Sequence, residues 1–273
     1  MNKSIRLLLG GLLVWGCLPA RAIGQDLFEI QVYPYETVKP GETMVEFHTN
    51  FTPSGTFDTS EGLFANNHQF HETIEITHGW TAMFETGFYI ETAYVPGVGE
   101  KFTGWHIRPR FRFPESKTFP FRVSLSLEYA FNQPGFDPNR QTLEIRPIFD
   151  RQDGRLYLSI NPDMSLATKG PDAGSSPSFE PQVKIGWDFT PKINAGLEYY
   201  SETGTVSHFD RFSDQHHILV PSIDLNVSPD WELNFGVGRG LTGTSEHWVV
   251  KGIVGRRFKF FTKRSTTKDT DKN

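Results

Sequence analysis

The chain has 273 residues, of which only 37% are hydrophobic, although aromatic residues reach 14% and phenylalanine alone occupies 24 positions. Its formal net charge of −5 argues against a nucleic-acid-binding protein. Few aliphatic residues together with many aromatic ones are untypical of a helical soluble domain. They are typical of a chain that turns alternate residues toward lipid.

Residues 1–22 have the organisation of a secretory signal peptide. Lys3 and Arg6 precede an apolar run at residues 7–18, and a small-x-small motif ends at Ala22. The apolar run is shorter than the roughly 20 residues that a helix needs to span a bilayer. We therefore expect export and cleavage near Ala22. Cleavage removes three basic residues and lowers their number from 27 to 24, against 32 acidic residues.

Cys17 is the one cysteine of the sequence and lies inside the predicted signal peptide. The exported chain should therefore contain neither a disulfide nor a reactive thiol. An alternative stays open, because residues 14–17 (Val-Trp-Gly-Cys) weakly resemble a lipoprotein cleavage box that would leave Cys17 lipidated. Trp15 is bulky where such boxes have a small residue, which favours removal with the signal peptide.

Alternation of apolar and polar residues runs through the rest of the chain and predicts strands with two different faces. It is clearest at residues 121–131 and 154–166. Each predicted strand is near the roughly 9–11 residues of a tilted transmembrane strand. The twelve predicted strands are 43–52, 69–77, 82–94, 103–113, 120–132, 141–150, 154–167, 178–189, 192–202, 216–228, 231–239 and 246–258.

Short and long connections alternate between the predicted strands. The short ones are 78–81, 114–119, 151–153, 190–191 and 229–230, and the long ones are 53–68, 95–100, 133–140, 169–177, 203–215 and 240–245. This is the pattern of an outer-membrane barrel with tight periplasmic turns and longer external loops. Because every backbone group in hydrocarbon needs an internal partner, the sheet must close. We predict an all-β, antiparallel transmembrane β-barrel over residues 42–258.

Two segments flank the predicted barrel. Residues 23–41 contain Pro34 and Pro40, which favour extended structure, and we expect a periplasmic lead-in that plugs or lines the barrel mouth. Residues 259–273 are polar and mixed in charge, and we expect a disordered periplasmic tail. The last strand ends at Phe258 and resembles the C-terminal signal that the barrel-assembly machinery recognises.

Prolines interrupt several predicted strands. Each lacks a donor for the hydrogen-bond ladder, so we expect a bulge or a weak point at every one of them. These prolines are Pro109, Pro147, Pro162, Pro181 and Pro221.

Charged side chains fall on the predicted inward face. Two interpretations stay open: the ion pairs fill and close the lumen, or the charges line a water-filled conduit. Twelve strands lie between the filled eight-stranded barrels and the open barrels of 16–18 strands. Arg108, Arg110 and Arg112 are the best candidates for an anionic solute, because guanidinium offers a rigid fork to carboxylate or phosphate. The candidate lumen and solute-contact residues are Glu85, Glu91, Arg108, Arg110, Arg112, Arg122, Glu128 and Arg146.

Neither a metal site nor a catalytic site is predicted. His48, His71 and His106 face inward, but the sequence does not bring them to one point. Two fragments, residues 245–247 (Ser-Glu-His) and 207–208 (Ser-His), come nearest to the triad of a lipid-hydrolysing barrel. Neighbours on a strand point to opposite faces, so we expect no enzyme, no cofactor and no nucleic-acid partner.

The end of the chain resembles a known family. Residues 229–233 read Pro-Asp-Trp-Glu-Leu, and residues 233–258 read Leu-Asn-Phe-Gly-Val-Gly-Arg-Gly-Leu-Thr-Gly-Thr-Ser-Glu-His-Trp-Val-Val-Lys-Gly-Ile-Val-Gly-Arg-Arg-Phe. Both resemble the outer-membrane transporters grouped under the meta-pathway of phenol degradation, and the likeness extends over residues 42–258. It implies an outer-membrane barrel for uptake of small aromatic compounds and supplies no catalytic residues.

We therefore predict a passive pore or transporter for small solutes in the outer membrane, surrounded by lipid. The alternatives are a structural barrel with a closed, ion-paired lumen and a lipid-modifying enzyme.

Overall fold

The computed structural model describes residues 27–57 and 62–259. The predicted signal peptide with Cys17, the first four residues of the predicted lead-in and nearly all of the predicted tail lie outside these ranges. Among the described residues there is no helix long and apolar enough to cross a membrane.

Twelve long strands and two very short ones form a single antiparallel sheet. In chain order they are β1 (Glu42–Ser54), β2 (Phe70–Thr81), β3 (Phe84–Val95), β4 (Gly99–Arg112), β5 (Arg122–Asn132), β6 (Gln141–Asp153), β7 (Leu156–Lys169), β8 (Ser178–Thr190), β9 (Ile193–Glu202), β10 (Gly204–Thr205), β11 (His208–Phe209), β12 (His216–Leu225), β13 (Trp231–Gly240) and β14 (Trp248–Lys259). The short strands β10 and β11 form a hairpin inside one loop, which also contains a 3₁₀ turn at Phe212–Asp214.

The sheet is closed. Strand β1 pairs with both β2 and β14, and β9 pairs with both β8 and β12, so each of the twelve long strands has two hydrogen-bonded neighbours. Closure satisfies the backbone groups of every long strand within the sheet. The predicted twelve-stranded antiparallel barrel is confirmed.

Strand ends differ from prediction where hairpins are tighter than expected. Strands β2 and β4 each extend four residues past the predicted bounds, to Thr81 and from Gly99. The link between β3 and β4 is therefore a short turn at residues 96–98, in which the Val98 amide donates to the Val95 carbonyl over 3.0 Å. The expected alternation of link lengths fails at two connections: the link at residues 96–98 is short where a long loop was expected, and the link at residues 113–121 is long where a tight turn was expected.

The barrel has two ends, named here by their connections. The loop end carries residues 55–57, 62–69, 96–98, 133–140, 170–177, 203–215 and 241–247, and the turn end carries residues 82–83, 113–121, 154–155, 191–192 and 226–230.

The strand prolines do not produce the expected bulges. Pairing register is unchanged on both sides of the prolines in β4, β6 and β12, although ladder pairs are missing beside each proline on one side. Register shifts lie elsewhere, for example between Glu91 and Thr92. Proline removes one donor and leaves the ladder to its other neighbour intact, which weakens the sheet locally without inserting a residue.

The outward face of the barrel is apolar and exposed. Phe47, Ile107 and Ile185 expose 53%, 44% and 51% of their surfaces. Apolar surface costs about 25 cal/mol per Å² in water, so a continuous outward band of such side chains is stable only against hydrocarbon. The inward face is polar and buried, and the centre of the molecule is therefore the lumen.

Candidate functional site in the barrel lumen

Residues 27–41, called the strap below, lie inside the barrel. At the loop end the side chain of Asn50 donates to the Leu27 carbonyl over 2.9 Å, and at the turn end the Gly41 amide donates to the Gly79 carbonyl over 2.8 Å. The strap thus runs along the lumen from one end to the other. The sequence places this segment at the periplasmic mouth, whereas the structure carries it through the whole interior.

One wall of the lumen holds the strap by apolar packing. Leu27, Ile30 and Val32 form the hydrophobic core of the molecule with side chains from β9, β12 and β14, namely Tyr200, Ile218, Val220 and Val249. We call this surface the apolar wall. A signal for it exists in the sequence: Ile218, Val220 and Val249 stand at inward positions that are otherwise polar. Apolar side chains at inward positions need an apolar partner inside the barrel, and the strap is that partner.

The opposite wall, formed by β2 to β7, is charged and holds the strap by hydrogen bonds. The Tyr33 amide donates to Asn161 Oδ1 over 2.7 Å, and Ser159 Oγ donates to the Tyr33 carbonyl over 2.7 Å. Two residues further on, the Tyr35 amide donates to Asp150 Oδ2 over 2.9 Å. We call this surface the charged wall. Its side chains replace the strand partner that the strap backbone lacks.

The ring of Tyr33 sits among three arginines of the charged wall. The guanidinium carbons of Arg108, Arg110 and Arg146 lie 5.0, 5.4 and 4.4 Å from its centroid. A cation over an aromatic face is worth roughly 0.5–2 kcal/mol, more when water is excluded. The predicted arginine row is therefore occupied by the strap.

Arg108 is the most heavily engaged member of that row. Its guanidinium contacts Glu75 Oε1 at 2.5 Å and Glu85 Oε1 at 3.1 Å, and it also donates to the hydroxyl of Tyr89. Arg146 is similarly enclosed, with Asp163 Oδ2 at 2.7 Å. Both side chains act as centres of the charged wall, because each neutralises buried carboxylates from neighbouring strands.

Three other predicted solute-contact residues, Glu91, Arg122 and Glu128, form ion pairs in the same wall. His106 lies between Glu91, at 3.2 Å from Nε2, and Glu128, at 2.7 Å from Nδ1. Arg122 binds both carboxylate oxygens of Asp150, at 2.7 and 3.0 Å. This two-point contact is the strong form of the arginine–carboxylate pair.

Arg110 and Arg112 are the least engaged arginines of the predicted set. Arg110 approaches Glu85 at 3.4 Å, without hydrogen-bond geometry at its Nε. Arg112 forms no ion pair within the described residues and stacks on Tyr35 at 5.2 Å. These two guanidinium groups, near the turn end, are the ones with hydrogen-bonding capacity to spare.

A second charge cluster was not among the predicted site residues. On β8, β9 and β14, Glu198 lies 3.0 Å from Lys184 Nζ and 2.6 Å from Lys251 Nζ. Lys184 also contacts Asp224 at 2.7 Å. The inward positions of these residues follow from alternation, but their convergence depends on the pairing register of three strands.

Little free volume remains beside the turn-end half of the strap. A cavity of about 90 Å³ lies between the strap and strands β1 to β4. A cavity of this size admits only a few water molecules. A solute of several heavy atoms does not pass here while the strap is in place.

Loops at the loop end pack over the start of the strap. The ring of Phe136 lies 6.0 Å from Phe28 and 5.3 Å from Phe64. In the same loop Asp137 accepts hydrogen bonds from Asn132 Nδ2 and from the Asn139 amide. Burial raises the pKa of Asp137 to about 6, although the amide hydrogen bond opposes the shift.

The two Ser-His fragments do not form a catalytic triad within the described residues. Ser245 Oγ accepts the His217 amide at 2.8 Å and contacts Thr242 Oγ1 at 2.6 Å, and Ser207 Oγ donates to Ser176. His247 instead contacts Ser54, a half-buried serine of β1, at 3.3 Å. Nucleophilic catalysis needs a base against the serine and a third group that orients the base, and none of these contacts brings all three together.

Comparison with known proteins identifies a family and a fold. Residues 50–252 match the family described as "Putative MetA-pathway of phenol degradation". The structure is similar to the COG4313 outer membrane channel from Pseudomonas putida F1, with a TM-score of 0.60 and 13% identity over 84% of this chain and 100% of that chain. The KdgM and NanC porins give TM-scores of 0.48 and 0.49, with 10% and 9% identity over 80% of this chain and 99% of theirs. No curated protein sequence matches this chain.

Proposed function

We propose that this chain, which belongs to the phenol-degradation family whose match covers most of its length, is an outer-membrane pore for small solutes that the strap closes. The strap itself carries this proposal. It fills a polar lumen, yet it is attached through side chains such as Asn50 and Asn161 and is not a strand of the sheet. It can therefore leave the lumen without breaking any of the ladders that close the barrel.

The apolar outward band supports a location in a membrane, and the likeness in fold to an outer membrane channel supports the outer membrane. In this setting β14 is the strand that closes the barrel, with Phe258 opposite Thr43 of β1. We propose that the barrel-assembly machinery recognises β14 by its terminal aromatic residue.

The spare arginines support a small anion as the solute. Within the described residues Arg110 and Arg112 are the guanidinium groups of the predicted set that donate no hydrogen bond to a carboxylate, and withdrawal of the strap would remove the rings of Tyr33 and Tyr35 from them. A guanidinium fork matches a carboxylate. A small carboxylate, including an aromatic one in keeping with the family description, would meet this requirement.

A closed structural barrel is the second candidate. The observation that favours it is the filled lumen, in which the strap and buried ion pairs leave a cavity of only about 90 Å³ beside the strap. The two candidates differ in whether the strap ever leaves.

Conductance in planar bilayers separates them. We expect the purified full chain to open rarely and the variant Ile30→Ser to open far more often, because Ile30 is buried against the apolar wall. Val98→Ser makes the same kind of change at an exposed site and should behave as the unaltered protein. Silence of correctly folded Ile30→Ser at all voltages would reject the pore and favour the structural barrel.

Ion selectivity tests the arginine assignment. Arg112→Gln breaks no ion pair, and we expect it to lower the permeability of anions relative to cations in the open channel. Arg151→Gln, at an exposed pair with Asp153 in the β6–β7 hairpin, is the matched control and should leave selectivity unchanged. Equal selectivity in both variants would remove Arg112 from the solute path.

A further inference from the structure

Three potential metal ligands meet on the inward face of β1 and β2. Glu46 and His48 are two residues apart on β1 and so share one face, while Glu75 lies directly opposite Glu46 in the antiparallel register. One ligand atom from each of the three side chains lies within 4.8 Å of the other two. His48 Nε2 and Glu75 Oε2 are already 3.6 Å apart.

Their polar atoms lack partners although they are buried. Glu46, His48 and Glu75 expose 7%, 1% and 1% of their surfaces. Both ring nitrogens of His48, Oε1 of Glu46 and Oε2 of Glu75 have no hydrogen-bond partner. An unsatisfied buried polar group costs about 1–3 kcal/mol, and more if it is charged, so unpaired atoms on three side chains whose ligand atoms lie within 4.8 Å of one another indicate a missing ligand.

Nearby cations satisfy only part of this charge. Arg108 takes the other oxygen of Glu75, Oε1, at 2.5 Å, and thereby leaves Oε2 directed at His48. At the turn end Arg257 pairs with Glu232 at 2.7 Å. Two carboxylates placed directly opposite each other in a sheet repel unless a proton or a cation lies between them.

Two of the three side chains face a cavity that a small ion could enter. Glu46 and Glu75 line the cavity of about 90 Å³ beside the strap, and Glu232 and Arg257 line the same cavity toward the turn end. A cation bound by the three side chains would therefore keep room for a water ligand. Three protein ligands with one open position are a common arrangement at zinc.

We propose that Glu46, His48 and Glu75 bind one divalent transition-metal cation, with Zn²⁺ as the best-fitting probe. An imidazole nitrogen with two carboxylate oxygens suits this class better than Mg²⁺ or Ca²⁺, which take oxygen ligands. At metal–ligand distances of about 2.0–2.2 Å the ligand atoms must approach to roughly 3.3 Å, a rotation of side chains only. The proposal does not depend on whether the barrel conducts.

Zinc stoichiometry of the purified full-length protein tests the site. After incubation with Zn²⁺ and removal of free metal, we expect one tightly bound equivalent, lost in His48→Ala and in Glu46→Gln. The controls His208→Ala, in an exposed loop, and Glu72→Gln, on the outward face of β2, should retain it. Because Glu46→Gln preserves the shape of the side chain, its zinc content tests the site even if His48→Ala fails to fold.

X-ray absorption of the bound zinc supplies an independent readout. We expect a first shell of one imidazole nitrogen and oxygen ligands at about 2.0–2.2 Å. Absence of stoichiometric zinc from the unaltered protein, or its retention in Glu46→Gln, would overturn the proposal. The pore would be unaffected by that result, because its test is conductance of a strap variant in the absence of zinc.

Discussion

On the wall formed by β9, β12 and β14 the strap buries Leu27, Ile30 and Val32 against apolar side chains, whereas on the opposite wall Tyr33 and Tyr35 make hydrogen bonds and cation–π contacts. The first kind of contact has no direction and weakens gradually as atoms are removed. The second requires defined geometry, and loss of one partner leaves the other group buried and unpaired.

The two walls therefore have different roles, one in stabilising the barrel and the other in retaining the strap. Carboxylates and arginines of the charged wall neutralise each other between neighbouring strands, so they stabilise the barrel as well as the strap. The aliphatic side chains of the apolar wall, Ile218, Val220 and Val249, have no such role, and their contacts with the strap determine mainly whether it stays in the lumen. Substitutions on the two walls should therefore affect different measurements.

The largest effect is expected from Arg108→Ala on the charged wall. Glu75 would remain buried without its arginine and Glu85 would keep only Arg110 at 3.4 Å, and breaking a buried pair in this way costs about 3–5 kcal/mol. Urea unfolding of the barrel in lipid measures this loss. Arg151→Ala, at an exposed pair, should change the unfolding free energy by no more than about 0.5 kcal/mol. A loss below about 1 kcal/mol for Arg108→Ala would contradict the role given to this wall.

Next in size is Ile30→Ala on the apolar wall. Truncation of a buried isoleucine costs about 2–5 kcal/mol, and here the cost falls on strap docking. We expect a higher open probability in single-channel recordings and little change in urea unfolding of the barrel. The exposed residue Val98 provides the control Val98→Ala. If Ile30→Ala destabilised the barrel as much as Arg108→Ala, the separation of the two walls would be wrong.

A smaller effect is expected from Tyr33→Phe. The hydroxyl contacts Tyr89 Oη at 2.9 Å and donates to Glu29, and its removal should weaken strap docking by about 1–2 kcal/mol while the ring keeps its arginines. Open probability is again the readout, and Tyr94→Phe, on the outward face, is the control. An unchanged open probability would assign the contribution of Tyr33 to its ring and backbone alone.

The smallest effect concerns pH and the loop over the start of the strap. The pKa of Asp137 is about 6 in the fold and 3.8 in the unfolded chain, so between these values the folded state holds a proton that the unfolded state releases. The contribution of protonated Asp137 to the free energy of unfolding is therefore complete below pH 3.8 and is lost as the pH rises toward 6. Asp137→Asn should flatten this part of the curve of thermal midpoint against pH, and an unchanged slope would exclude Asp137 as its source.

Much of the charged wall was predictable from the sequence, whereas the position of the strap was not. Alternation placed Arg108, Glu91 and Glu128 on the inward face, and they are buried there. The identity of each ion-pair partner depends on which strands are neighbours and in what register. Arg146, for example, meets Asp163 of the next strand, a pairing that no local pattern contains.

For this protein the sequence alone determined the barrel, because a period of two residues assigns each strand a lipid face and a lumen face, and hydrocarbon requires the sheet to close. It also determined which charges face inward. Only the tertiary structure decided what occupies the lumen, since a polar inward face is compatible with water, ion pairs or a strap. Register likewise decided that Glu46 and His48 meet Glu75, because residues 29 and 27 positions apart become neighbours only when β1 and β2 pair.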